Sequence, residues 1–315
     1  MKKLIIVGTI VLLSIFVIIL YNIPEKNNSD QFSTPIKVTA SFYPLAEFAK
    51  QVGGDRVEVV NIIPTGVEPH DFEPSPKDIA TIFSSKVFIF NGVGFDPWAE
   101  KLKFDLEQKG VKTINMSEYV DLITSEEKHE DEENHEEEAE ELDPHFWLDP
   151  VIAKKEVEII RDVLISIDPE GSIEYINNAA RYMEELTALD EKYKNGLASC
   201  EIRDAVASHA AFGYLAKRYN INIISIAGLS PEEEPSPKRM AEIAQLAKQK
   251  DIKYIFFETL VSPKLSETIA REIGAETLVF NPIEGLTKEE VEAGENYISI
   301  MEKNLANLRK ALRCK

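Results

Sequence analysis

The chain has 315 residues, 44% of them hydrophobic, and a formal net charge of −20. That length allows one large domain or two of ordinary size with real cores, and the acidic balance argues against nucleic acid as a partner, since phosphate binding needs clustered Lys and Arg. Only two cysteines occur, Cys200 and Cys314, with no CxxC pair, which excludes a Cys-rich zinc site and a thioredoxin-like redox motif.

Lys2 and Lys3 precede an apolar run from Leu4 to Tyr21. It is longer than the roughly 7–15-residue core of a cleaved signal peptide, and Tyr21-Asn22-Ile23-Pro24 offers no A-x-A cleavage pattern. About 18 apolar residues suffice for a transmembrane helix, and the lysines should stay cytoplasmic. Residues 1–35 are therefore expected to be a membrane anchor and tether, with a signal peptide cut at an unusual site as the alternative. Either way the rest of the chain is extracytoplasmic.

Ile36 to Ala40 reads as a strand and Pro44 to Val52 as a helix closed by Gly53-Gly54. Val57 to Ile63 is a second strand, running into Pro64-Thr65-Gly66-Val67-Glu68-Pro69-His70. Pro76 suits the first turn of a helix through Phe83. Lys86 to Phe90 is an apolar strand of the buried parallel type, followed by a helix from Pro97 to Lys109 and a strand from Val111 to Ile114. Such alternation predicts βαβ units and a parallel sheet. The stretch 124–142 interrupts it. This tract is almost entirely acidic, carries about half of the net charge, and contains His129 and His135. Its composition predicts disorder. It reads either as a solvated loop or as a weak gatherer of divalent ions, and neither histidine is counted among the main ligands.

After Asp143-Pro144-His145-Phe146-Trp147-Leu148-Asp149-Pro150, an amphipathic helix runs to Ile167. Helical spacing from Ile176 to Leu197 then predicts a connector of about seven turns. The second half repeats the first: strands at Ala205–Ser208, Ile221–Ala227, Tyr254–Phe257 and Thr277–Phe280, helices at Ala210–Arg218, Pro237–Gln249 and Pro263–Ile273, and one long closing helix from Lys288 to Leu312. Glu73-Pro74-Ser75-Pro76-Lys77 recurs as Glu234-Pro235-Ser236-Pro237-Lys238, and Lys86-Val87-Phe88-Ile89-Phe90 as Lys253-Tyr254-Ile255-Phe256-Phe257. Phe48-Ala49-Lys50 recurs as Leu215-Ala216-Lys217. All three echoes lie roughly 160–170 residues apart, the sign of an internal duplication. The expected fold is α/β: two Rossmann-like lobes with parallel sheets, an N-terminal lobe over 36–167, a linking helix over 168–198 and a C-terminal lobe over 199–315.

Ligands of open α/β sheets sit beyond the carboxyl ends of the strands. His70 and His209 fall there, one per lobe, His145 precedes a helix, and Glu284 follows the last strand. Three imidazoles and one carboxylate form a set suited to Zn²⁺ in the cleft. Glu68 and Glu258 are rival carboxylates. Asp143 and Asp149 could each orient His145 from behind or cap a helix.

These segments, with Ser208-to-Leu215, Gly228-to-Pro237 and Phe280-to-Thr287, resemble the zinc/manganese substrate-binding proteins of ABC importers, especially the zinc-type adhesion-lipoprotein members. The resemblance spans most of residues 36–312. It implies two (β/α)₄ lobes, a rigid linking helix, and a metal held by His70, His145 and His209 with Glu284 in the fourth, acidic position. It also implies Zn²⁺ as cargo, with Mn²⁺ as the alternative, and delivery to a membrane permease and its ATPase subunit by a monomer. His at the third position and a His- and acid-rich loop before the second ligand are zinc-type features. The usual lipobox Cys is missing, which favours a protein anchor. The competing readings are a metal-binding surface adhesin or sensor and a zinc hydrolase. A hydrolase would keep a coordination position open for water, and no HExxH helix is present.

Overall fold

The computed structural model describes residues 34–125 and 141–315. The expected anchor and most of the acidic tract, with His129 and His135, lie outside the described residues. Among the described residues no helix is long and apolar enough to cross a membrane.

The first sheet contains β1 (Ile36–Ala40), β2 (Val57–Asn61), β3 (Val87–Phe90) and β4 (Lys112–Asn115), in the order β2-β1-β3-β4. Its helices are α1 (Tyr43–Gly53), α2 (Pro76–Phe83) and α3 (Pro97–Gln108). After α4 (Pro150–Ile167) and the 25-residue α5 (Ser172–Gly196), a second sheet repeats the order as β6-β5-β7-β8. Its strands are β5 (Asp204–Ala207), β6 (Asn222–Ser225), β7 (Tyr254–Phe257) and β8 (Glu276–Val279), with α6 (Gly213–Tyr219), α7 (Pro237–Gln249) and α8 (Lys264–Ile273) between them. Every strand pair is parallel. The duplicated motifs do the same local work in both halves: Ser75 and Ser236 each accept a backbone N–H three residues on and each precede a proline in the first helical turn.

Both faces of the sheets are buried, and strand parity sorts the side chains. Val87 and Ile89 enter a central core, while Phe88 and Phe90 enter an outer one with Ile82 and Trp98. In the second sheet Ala205, Ala207 and Phe256 join the same central core, and Val206 and Ile255 face an outer cluster beneath α7 and α8. The central core is thus continuous across both lobes. The connector α5, about 37 Å long at 1.5 Å per residue, contributes Tyr175, Ala179, Tyr182, Leu186, Leu189 and Tyr193 to it. Its Asp190 receives both Arg218 N–H groups at 2.8 Å and the Tyr219 hydroxyl at 3.0 Å, fixing its C-terminal half to the second lobe.

Two elements differ from the sequence reading. The helix expected from Ala210 starts at Gly213, because the Ala210 N–H is engaged by the Gly228 carbonyl at 2.8 Å and Ala210 therefore continues the strand-end loop. The closing helix is two helices, α9 (Lys288–Glu292) and α10 (Tyr297–Ala311). Gly294 turns left-handed at φ 73°, and Asn296 opens α10 with a capping box through Ser299. The restart lets the Tyr297 hydroxyl donate to the Trp147 carbonyl at 2.5 Å.

Cys200 and Cys314 form a disulfide across 114 residues of sequence, joining the end of the connector region to the chain terminus. Closing a loop of that length stabilises by about 4–5 kcal/mol through the unfolded chain. Denatured, unreduced protein is expected to show no reactive thiol, and a Cys200→Ser/Cys314→Ser variant should lose about that stability in chemical denaturation. Two reactive thiols would contradict the pairing.

Candidate metal centre

Each predicted donor sits in a loop or turn outside the regular elements. His70 lies in the loop after β2. That loop is pinned across the lobes by the Gly66 N–H on the Leu286 carbonyl, at 2.8 Å. Gly66 adopts φ 81°, a conformation that glycine supplies without strain. The His70 ring packs edge-on against Phe95.

His145 is held by the turn that enters α4. The Asn91 amide, at the end of β3, donates to the Pro144 carbonyl at 3.0 Å. Asp143 Oδ1 lies 2.9 Å from both the His145 backbone nitrogen and Nδ1. Asp149 accepts the Val151 N–H and caps α4. Of the two aspartates left open by the sequence, Asp143 orients the imidazole and Asp149 caps. Beside them Trp147 donates its indole N–H to the Pro282 carbonyl at 2.8 Å, tying the His145 turn to the Glu284 turn.

His209 follows β5. Its Nδ1 lies 2.5 Å from Glu258 Oε1, and the Ser208 hydroxyl donates to the same oxygen. Glu258 is therefore an orienting group. It leaves β7 at a strand end, the same signal that pointed to the ligands, so position in the chain could not separate the two roles. With Nδ1 engaged by a carboxylate in both His145 and His209, each Nε2 is left to face the cleft.

Glu284 is delivered by the turn after β8. Ile283, fully buried, holds φ 60°. For a β-branched residue that is a true outlier, costing of order 1–3 kcal/mol. It is sustained by the Asn281 side chain, which accepts the Ile283 N–H at 2.7 Å.

The four predicted residues come together, with one candidate donor atom from each lying within 4.8 Å of the others. Glu284 Oε1 is 3.5 Å from His70 Nε2, 3.4 Å from His145 Nε2 and 3.3 Å from His209 Nε2. The Nε2 atoms of His145 and His209 are 3.4 Å apart. A tetrahedron with bonds of about 2.0–2.1 Å has edges of about 3.3–3.4 Å, so the three edges from Glu284 and the His145–His209 edge are close to that size, and the two edges from His70 to the other imidazoles lie within 4.8 Å. Neither Glu284 Oε1 nor His70 Nε2 has a hydrogen-bond partner among the described residues, although both are buried. The rival Glu68 does not join this group. One of its oxygens accepts the His70 N–H at 3.1 Å, and burial, reinforced by the charge of Glu284, pushes its carboxyl up to about 7.

The electrostatics follow from burial set against neighbouring charge. Burial lowers the His70 pKa. Burial acts the same way on His145, but Asp143 and Glu284 outweigh it and the net shift is upward. His209 is carried well above its usual value, Glu258 and Glu284 overriding its burial. Burial alone would raise Glu284, yet the three imidazoles hold it well below the usual carboxylate range. In the absence of a cation, the protonated His145 and His209 contribute stability that is present below about pH 6.5 and lost as pH rises through their raised values.

A cation must displace those protons, since only the neutral imidazole ligates. Metal affinity should therefore rise with pH through and above about 6.5. Calorimetry at pH 7 in buffers of different ionisation enthalpy should register release of about one proton or more per cation bound. An affinity that stays flat between pH 6 and 8 would contradict the assigned charges.

Comparison with known proteins places this geometry in a family. The model of the zinc-uptake complex component A, periplasmic, matches residues 38–311. The chain is 41% identical over 296 residues to the high-affinity zinc uptake system protein ZnuA of Bacillus subtilis, covering 93% of each chain. It is 41% identical over 285 residues to the zinc-binding lipoprotein AdcA of Streptococcus pneumoniae, covering 90% of this chain and 57% of that longer relative. The fold is similar to the crystal structure of the Zn(II)-bound ZnuA-like domain of S. pneumoniae AdcA, with a TM-score of 0.77 at 40% identity over 89% of this chain and 99% of that one. With two parallel four-stranded sheets, a three-histidine, one-glutamate cluster in the cleft and a family match over most of its length, the chain belongs to the ZnuA family of zinc-uptake components.

Proposed function

We propose that this protein is the extracytoplasmic metal-capturing component of an ABC-type importer. Zn²⁺ is its cargo, held by His70, His145, His209 and Glu284. The observation that carries this reading is the convergence of four donor atoms within 4.8 Å of one another, with Glu284 Oε1 only 3.3 to 3.5 Å from all three imidazole nitrogens, which suits a tetrahedral ion with short bonds. Mn²⁺ prefers more oxygen donors than this set offers. Four protein donors would also leave no position for a reactive water, which favours capture over hydrolysis.

The reading extends to the surroundings. The loaded protein, acting as a monomer, hands its cargo to a membrane permease driven by an ATPase subunit. The apolar run Leu4 to Tyr21 holds the chain at the membrane. The chain divides into a lobe over 36–167, a connector over 168–198 and a lobe over 199–315, so each lobe supplies two ligands.

Competition titration of single variants tests the assignment. His70→Ala, His145→Ala and His209→Ala should each weaken Zn²⁺ binding about a hundredfold or more. Glu284→Ala should cost less, because water can take the vacated position. His129→Ala and His135→Ala should leave the tight site unchanged. Parent-like affinity in His145→Ala or His209→Ala would overturn the ligand set.

A further inference from the structure

The turn that presents Glu284 is governed by a residue that touches none of the other donors. Asn281 is buried at 2% exposure, and its amide is engaged on both sides. Its oxygen accepts the Ile283 N–H at 2.7 Å, and its nitrogen donates to Thr259 Oγ1 and Glu290 Oε1, each at 3.0 Å. Its own backbone is clamped by Asn304: the Asn281 N–H donates to the Asn304 side chain at 2.9 Å, and the Asn304 amide returns a bond to the Asn281 carbonyl at 2.7 Å. Three separate elements converge on it: the segment after β7 through Thr259, α9 through Glu290, and α10 through Asn304. Glu290 is itself fixed in the capping box with Thr287.

This network opposes a specific relaxation. Ile283 at φ 60° would return to an ordinary backbone region if its N–H were released. Glu284 is the next residue, so any such relaxation re-aims its carboxylate. As built, Oε1 is the oxygen set 3.3 to 3.5 Å from all three imidazole nitrogens. A single, fixed carboxylate oxygen suits a small tetrahedral cation. A carboxylate free to swing can offer two oxygens, which suits larger ions that take more oxygen donors.

We propose that Asn281 is a positioning residue that sets cation selectivity, by locking Ile283 in the left-handed turn that limits Glu284 to one oxygen at tetrahedral spacing. This rests on the ligand set proposed above. Loss of a residue that orients a ligand typically weakens metal binding by about 10–100-fold. Asn281→Ala should therefore reduce Zn²⁺ affinity about tenfold or more while reducing Mn²⁺ affinity much less, so that the Zn²⁺-to-Mn²⁺ affinity ratio falls about tenfold.

The experiment measures Zn²⁺ and Mn²⁺ affinities by chelator competition on the full chain, for the parent, Asn281→Ala, Asn281→Asp, Glu284→Gln and the Asn281→Ala/Glu284→Gln double variant, with metal-free melting curves alongside. Asn281→Asp keeps the acceptor for the Ile283 N–H and should recover part of the ratio. The double variant should bind Zn²⁺ no more weakly than Glu284→Gln alone. If Asn281→Ala does not fold, Thr259→Val, which removes one partner of the Asn281 amide, should shift the ratio in the same direction by a smaller factor. A parent-like ratio, or Zn²⁺ and Mn²⁺ affinities falling together by the same factor, would overturn the role of Asn281 alone. A parent without tight Zn²⁺ binding would overturn the reading of the site and this inference with it.

Discussion

The structure is organised around one expensive group. Glu284 is 1% exposed and ionised, in a position where water cannot solvate it. An isolated buried carboxylate would take up a proton instead. Glu156 shows that outcome in the same molecule: it is fully buried without a hydrogen-bond partner among the described residues, and burial alone carries its pKa well upward. The difference is the three imidazoles, two of which are themselves backed by Asp143 and Glu258. Carboxylates surround imidazoles, which surround a carboxylate. The layered arrangement leaves the middle of the cleft short of positive charge, and a divalent cation supplies it.

Holding those layers in register requires both lobes at once. His70 and His145 come from the loops of one sheet, His209 and Glu284 from the other, and the links between them are short and direct. Trp147 bonds across to Pro282, Tyr297 bonds back to Trp147, and Gly66 bonds to Leu286. The spacing of the donors is therefore set by packed backbone turns rather than by the reach of flexible side chains.

Much of this was legible in the chain. The proline-led helices at Pro76 and Pro237, the wholly apolar strand at Val87–Phe90 and the histidines at element ends all read directly, because they depend on local chemistry. What could not be read depends on groups distant in sequence. Glu258 and Glu284 both follow strands, and only the third dimension puts one behind His209 and the other among the three imidazoles. The left-handed Ile283 has a local support in the Asn281 side chain two residues before it, but what clamps Asn281 itself, Asn304, lies far along the chain. The break before Tyr297 was signalled locally, by Gly294 and the cap at Asn296. The duplication shows how the halves diverged. At the offset of the strand echo, Ala40-Ser41-Phe42 aligns with Ala207-Ser208-His209, and Asn91 with Glu258. Where the second half has an imidazole backed by a carboxylate, the first has a phenyl ring against Trp147 and an amide holding the Pro144 carbonyl.

The continuous central core has a further consequence. Residues 36–315 form a single compact unit, and one apolar cluster contains strands of both sheets and the connector between them. Neither repeat can shed its packing without exposing the other's apolar surface to water, so the two have become one cooperative folding unit. A truncation placed anywhere along α5 cuts through an interior instead of a linker.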